Sequence, residues 1–380
     1  MLNTKHLFRP AKLAVLTVIV SGFAFAQHYQ VTNLVSDGTV QAKSVDSNLV
    51  NGWGLSRSSG SPWWVSDNGT GKSTLYDGTG APQSLVVTIP AAVAGQTGTP
   101  TGTIFNGTTE FQIAPGKPAL FLFATEDGTI SGWNPGVLPT TAVIAVKTPG
   151  AVYKGMTMAT IEGKPYLFAV NFHSGNIEVY DGGFHRVRMR ERAFRRDDDV
   201  REHRDDDARE HEDRDDEDLD NLVPFNIQNV GGTLIVAYAK QDAARHDNES
   251  GAGLGAVVAF TPRGRFLRSF RHGPWFNAPW GLVLAPSDFG RFSHSLLVGQ
   301  FGSGEILAFN FESGAFEGKL KDENDKVVKL DGLWGIGFGN GAGAGNFNTL
   351  FFAAGPDGEQ HGLFGSLTPV AAELTEGNSL

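Results

Sequence analysis

The sequence predicts an all-β chain folded as a ring of six four-stranded antiparallel blades, a six-bladed β-propeller. Three observations carry that expectation. A short apolar marker built around glycine keeps returning, each return is followed by the same succession of strand-forming runs, and no long stretch of helical periodicity interrupts them.

The marker reads NGWGLS from Asn51, YKGMTMA from Tyr153, PFNIQNVGG from Pro224, NAPWGLVLA from Asn277 and DGLWGIGFG from Asp331. Trp280 and Trp334 stand 54 residues apart, and Asn226 stands 54 before Trp280. The 71 residues from Gly155 to Asn226 contain a charged insertion, and the 102 from Trp53 to Gly155 leave room for two units, one placed near Ile104-Phe105-Asn106. A period of about fifty residues suits propeller blades.

Taken in order, residues 1–26 read as a secretory signal. Lys5, Arg9 and Lys12 precede a short apolar core from Leu13 to Val20, and Ala24-Phe25-Ala26 forms a small-residue cleavage site before Gln27. The apolar run is shorter than the roughly 20 residues a membrane span needs. The expectation is an exported, periplasmic or secreted protein with no membrane anchor. YQVTNLVSDG, from Tyr29, lacks the marker and is expected to close the last blade, because an open ring would expose a strand edge.

Within 27–370 each unit repeats one grammar. After the marker comes an apolar run, such as WWVSDN from Trp63, LFLFATED from Leu120 or LLVGQF from Leu296. A glycine-bearing turn follows, then a further strand such as STLYDG, TISGWN or NIEVYDGG. The marker is expected to be the innermost strand, its glycine letting neighbours crowd round the axis while the indole packs between blades.

The insertion at 185–221 carries, between Arg186 and Asp220, ten Arg and sixteen Asp or Glu, so most of the formal charge of −10 is local. So polar a stretch cannot bury a core and is expected to be disordered, on a loop between the third and fourth blades. It is either an acidic patch that gathers cations or a basic partner, or an expanded surface loop. Residues 371–380 read as a flexible tail. No basic excess suggests nucleic acid as a partner. The absence of cysteine excludes thiolate metal sites and leaves an exported domain to stand on packing alone.

GNIEVYD at 175–181 and GEILAFN at 304–310 resemble the third strand of NHL-type six-bladed propellers. NLVNGWGLS, PFNIQNVGGTLIVAYAKQD, NAPWGLVLAPSDFG, LLVGQFGSGEILAF and DGLWGIGFGNG together resemble, over roughly 30–370, a family of secreted bacterial propellers of unassigned function. Gln300 and Ser303 stand where that family tends toward an acidic residue. The resemblance implies fold and export. By analogy with NHL-like lactonases and gluconolactonases, it also implies an axial calcium.

Two sets of side chains are candidate sites. Asn51, Lys154, Asn226, Asn277 and Asp331 fall at or just before the marker and are expected at the channel mouth. Asn51, Asn226, Asn277 and Asp331 could offer Ca²⁺ neutral oxygens plus one charge, or could simply make turns at the entry to each strand. Asp67, Glu126, Asn171 and Asp242, at the ends of the second strands, could serve acid–base chemistry or lead into hairpins. No nucleophile elbow, complete phosphate loop or HExxH motif occurs. Two functions follow: a binding or scaffold module for an extracellular protein, peptide or glycan, and a calcium-dependent lactonase or hydrolase.

Overall fold

The computed structural model describes residues 28–190, 193–195 and 221–370. Six sheets are arranged as blades, each running from an inner strand outward. Blade one comprises Gly52–Ser56, Trp63–Asp67, Lys72–Tyr76 and Val87–Thr88. Blade two comprises Pro100–Phe105, Phe121–Thr125, Thr129–Trp133 and Val143–Lys147, so its marker is Thr101-Gly102-Thr103, slightly before the place expected from the repeat. Blades three, four and five begin at Tyr153–Ile161, Leu222–Val230 and Pro279–Leu284.

Blade six begins with Leu333–Phe338, Leu350–Ala354 and Leu363–Val370. His28–Ser36 completes it, pairing antiparallel with Leu363–Val370 through partners such as Tyr29 and Pro369, and Ser44–Val45 adds a short parallel edge. The first and last described strands therefore share one sheet, and the ring has no open seam.

Alternation sets the core. In the second strand of blade four, Leu234, Val236 and Tyr238 face blade three, while Ile235 and Ala237 face blade five. The same period of two in the other blades produces six apolar seams, one between each neighbouring pair, because both faces of every sheet are covered.

A seventh cluster lies on the axis and corrects the expectation for the marker indoles. Trp53 stacks on Trp334 with ring centres 3.5 Å apart, Trp280 meets both edge-on, and Phe301 stacks on Trp334 from outside. The indoles thus pack on one another across the axis rather than between blades. The reason is a β-bulge: in all six blades the register of inner and second strands slips at the marker, which re-aims one side chain per blade.

The marker glycines permit that crowding. A Cβ built on Gly335 would lie 2.5 Å from the carbonyl oxygen of Trp53 in the next blade. Gly54, Gly102, Gly155 and Gly281 occupy the same place in their blades; only blade four differs, with Asn226. Its amide nitrogen instead donates to Trp280 O at 2.6 Å, tying blade four to blade five.

The charged insertion begins inside the fold. Arg186–Val187 is the outer strand of blade three, and Phe194 is buried against Phe168 and Phe260, its carbonyl accepting the hydroxyl of Tyr238. The apolar Val187 and Phe194 account for this departure from expected disorder. Residues 191–192 and 196–220 of the insertion, the signal sequence and the tail lie outside the described residues.

Candidate functional site: the charged axial mouth

At one end of the axis a cluster of polar side chains lies over the tryptophan layer. Lys154 is wholly buried, although a lysine ammonium in an apolar surrounding is costly unless paired. It occupies the bulge position that the other blades give to Trp53, Thr101, Phe225, Trp280 and Trp334. Its Nζ donates to Glu126 and, at 2.9 Å, to Asp247, and lies 4.7 Å from the Trp53 ring centre. Burial disfavours the ammonium, but these two carboxylates outweigh it and raise the pKa above the ordinary lysine value. Lys154 is held charged and acts here as a fixed cation.

The network spreads across five blades. Asn68 donates to Glu126 at 2.8 Å, and Asn51 donates to Asn68 at 3.3 Å and to Glu359 at 2.7 Å. The carbonyl oxygen of Asn51 accepts the indole N–H of Trp334 at 3.1 Å, so the polar layer is bolted to the aromatic one. His246 and Asp247 come from the loop after the second strand of blade four, with Nδ1 and the carboxylate 3.0 Å apart. The hydrogen bond that His246 makes to the Asp247 carboxylate raises the His246 pKa against the effect of burial. Burial pushes Asp247 up, but His246 and Lys154 together hold it well below the usual carboxylate range.

Burial raises the Glu359 pKa, the charges of Glu126 and Asp247 add to it, and the Asn51 hydrogen bond and the Lys154 charge oppose it. Three non-glycine residues here, Asn51, Asp357 and Glu359, adopt left-handed backbone at φ 49°, 54° and 69°. Each such conformation costs on the order of 1 kcal/mol and persists only where surroundings enforce it.

The structure separates the residues singled out in the sequence. Asn51 and Lys154 reach the mouth, but from different positions: Lys154 takes the bulge, and Asn51 stands three residues before its marker glycine. Asn226 takes the glycine place and lines the channel. Asn277 accepts Gly251 N at 2.8 Å and braces a loop. Asp331 accepts Asp357 N at 2.8 Å and holds the loop bearing Glu359.

No hydrogen bond links any two of Asn51, Asn226, Asn277 and Asp331. One oxygen of each is already taken, by Trp334 Nε1, Ile227 N, Gly251 N and Asp357 N respectively. The four are each engaged with a separate partner rather than with one another. Glu126, His246 and Asp247 do bring ligand atoms within 4.8 Å of one another, yet the Lys154 ammonium already supplies the cation for both carboxylates.

Of the second-strand set only Glu126 joins the site. Asp67 is buried and turned toward Thr74, whose N–H and hydroxyl it accepts, and burial holds its pKa well above the ordinary value. Asn171 pairs with Glu178 at 3.1 Å. Asp242 stays at the surface, where it accepts His246 N at 2.8 Å and shapes the loop.

The residues directly after the second strands of blades one, two, three and five, Asn68, Glu126, Phe172 and Phe301, face the axis instead. Strand alternation, counted one step later, would have pointed to Asn68. His246, Asp247 and Glu359 carry no comparable signal, since they reach the mouth only because their loops fold back.

Fold and site together define a six-bladed β-propeller whose axis is plugged by stacked tryptophans beneath an acidic mouth. No family model matches the chain. An uncharacterized protein, R648, of Acanthamoeba polyphaga mimivirus is 29% identical over 352 residues, covering 89% of this chain and 80% of that protein. Among solved structures, the apo-form of the soluble aldose sugar dehydrogenase from Escherichia coli aligns with TM-score 0.51 at 10% identity over 90% of this chain and 100% of that one. A streptogramin B lyase aligns with TM-score 0.50 at 10% identity, over 90% of this chain and 97% of its own. At such identity the likeness shows the fold alone.

Proposed function

We propose that the chain is a binding propeller that takes a cationic group, such as a lysine or arginine of an extracellular peptide or protein, at the axial mouth. The carrying observation is the excess of carboxylates there. Glu126, Asp247 and Glu359 surround the buried cation Lys154, flanked by Asp357 on the loop that bears Glu359 and by Asp331, which holds that loop. Asp247 keeps 59% of its side chain exposed, so it can accept a donor from solution without breaking its bond to Lys154. The plug beneath favours docking at the rim over passage through the axis.

The same reading takes the chain as an NHL-like propeller delivered to the periplasm or medium through residues 1–26. Among the described residues no helix is long and apolar enough to cross a membrane.

The test is titration of the purified protein with tetralysine, tetraglutamate and a neutral oligosaccharide at two salt concentrations. Tetralysine should bind, weaken as salt rises, and lose about tenfold in affinity in Asp247→Asn, as expected for a charge-assisted contact. Binding of the oligosaccharide or tetraglutamate instead would overturn the cationic reading. If binding appears only with calcium and vanishes in chelator, the calcium-dependent hydrolase becomes the better account.

A further inference from the structure

Beyond the tryptophan layer, away from the mouth, the axis opens into a cavity of about 230 Å³ lined by the inner strands of all six blades. Polar groups, among them Ser56, Asn226 and Gln228, form the larger part of its exposed wall, beside the side chains of Leu55, Met156 and Ile336. Arg57 is the single charged residue in that wall, and it makes no ion pair with a carboxylate among the described residues. Its Nε donates to Phe338 O and its Nη2 to Gly339 O at 3.0 Å, both in blade six, while the guanidinium stands over the Trp63 ring at 5.6 Å.

Two further polar atoms in this wall lack partners. The Trp280 indole N–H and the Thr103 hydroxyl are buried with no hydrogen bond, although Trp280 is 4% and Thr103 6% exposed. A buried donor without an acceptor is costly, and a half-buried guanidinium with only neutral carbonyls for company lacks its natural counter-charge. One cation, unsatisfied donors and a wall of mixed polarity describe the complement of a small organic anion.

We propose that this cavity is a binding site for a small monocarboxylate, its carboxylate on Arg57 and its body against the inner strands. The planar guanidinium fork matches a carboxylate, and a lone cation balances one negative charge rather than the two of a phosphate. Size agrees: an engineered apolar cavity of about 150 Å³ already holds benzene, so the space here admits a ring of that size together with a carboxyl group. The site is independent of the mouth, from which the aromatic plug divides it.

The experiment titrates the whole protein with benzoate, hexanoate and, as the neutral match, benzamide, following the Trp280 indole N–H resonance, assigned by its loss in Trp280→Phe. At least one carboxylate should shift that resonance saturably, with benzamide at least tenfold weaker. Arg57→Gln should abolish the effect. Because that change also removes bonds between blades one and six, a second variant, Val283→Trp, fills the cavity while keeping Arg57 and should likewise block binding. Equal binding of benzamide, carboxylate binding undiminished in both variants, or no saturable shift with either carboxylate would overturn the proposal.

Discussion

Lys154 shows how much one residue can be asked to do. Fully buried, it neutralises Glu126 and Asp247 and rests its ammonium on the Trp53 face. Removing one partner of a buried pair leaves uncompensated charge, at a typical cost of about 3–5 kcal/mol. Asp247 is half in solvent and its share is screened, so the lower end applies. Lys154→Met is expected to lower unfolding free energy by about 3 kcal/mol in a denaturant titration. The double variant Lys154→Met/Glu126→Gln should recover part of that loss; no recovery would mean that the ammonium matters through packing on Trp53 rather than through charge. The sequence placed Lys154 at a mouth but left its partners unnamed, because Asp247 lies 93 residues away and the two meet only through a loop.

At the scale of the strand, the recurring marker is a bulge with a close neighbour on one side. Gly335 faces the Trp53 carbonyl, so a methyl group there must push two blades apart. Overpacking of this kind costs about 1–3 kcal/mol; Gly335→Ala should reduce the melting temperature by several degrees and broaden the transition, read by calorimetry. An unchanged melt would show that the inner strands can slide past one another at this point.

Strand existence was legible because glycine, aromatic and β-branched residues alternate with turn residues. The facing of strand ends was not. Asp67 and Asn68 are equally good turn residues, and the register slip in each blade decides which of two adjacent side chains meets the axis. The same slip put the indoles of Trp53, Trp280 and Trp334 into one stack, where sequence reasoning had distributed them between blades.

For the molecule as a whole, closure is the decisive step. His28–Ser36 pairs along the full length of Leu363–Val370, and the buried Tyr29 hydroxyl reaches Phe289 O at 2.9 Å in blade five. The expected cleavage after Ala26 would leave this strand intact. A chain beginning at Gln27 is therefore expected to melt like the full-length protein and to match the N-terminus sequenced from exported material. A chain beginning at Asp37 should lose cooperative unfolding, since it exposes the edge of blade six and opens the seam containing Leu34 and Val35. Normal melting of that shorter chain would show that the ring closes without its first strand.

What the sequence determined by itself was the number of blades, their order and the strand that closes them. Those features rest on local alternation and on a period that repeats along the chain, both readable without knowing what touches what. Tertiary structure alone decided the plugged axis, the Lys154–Glu126–Asp247 mouth and the Arg57 cavity. Each depends on side chains from blades far apart in sequence, brought together by ring closure and aimed by a one-residue slip in register, and neither leaves a periodic trace in the chain.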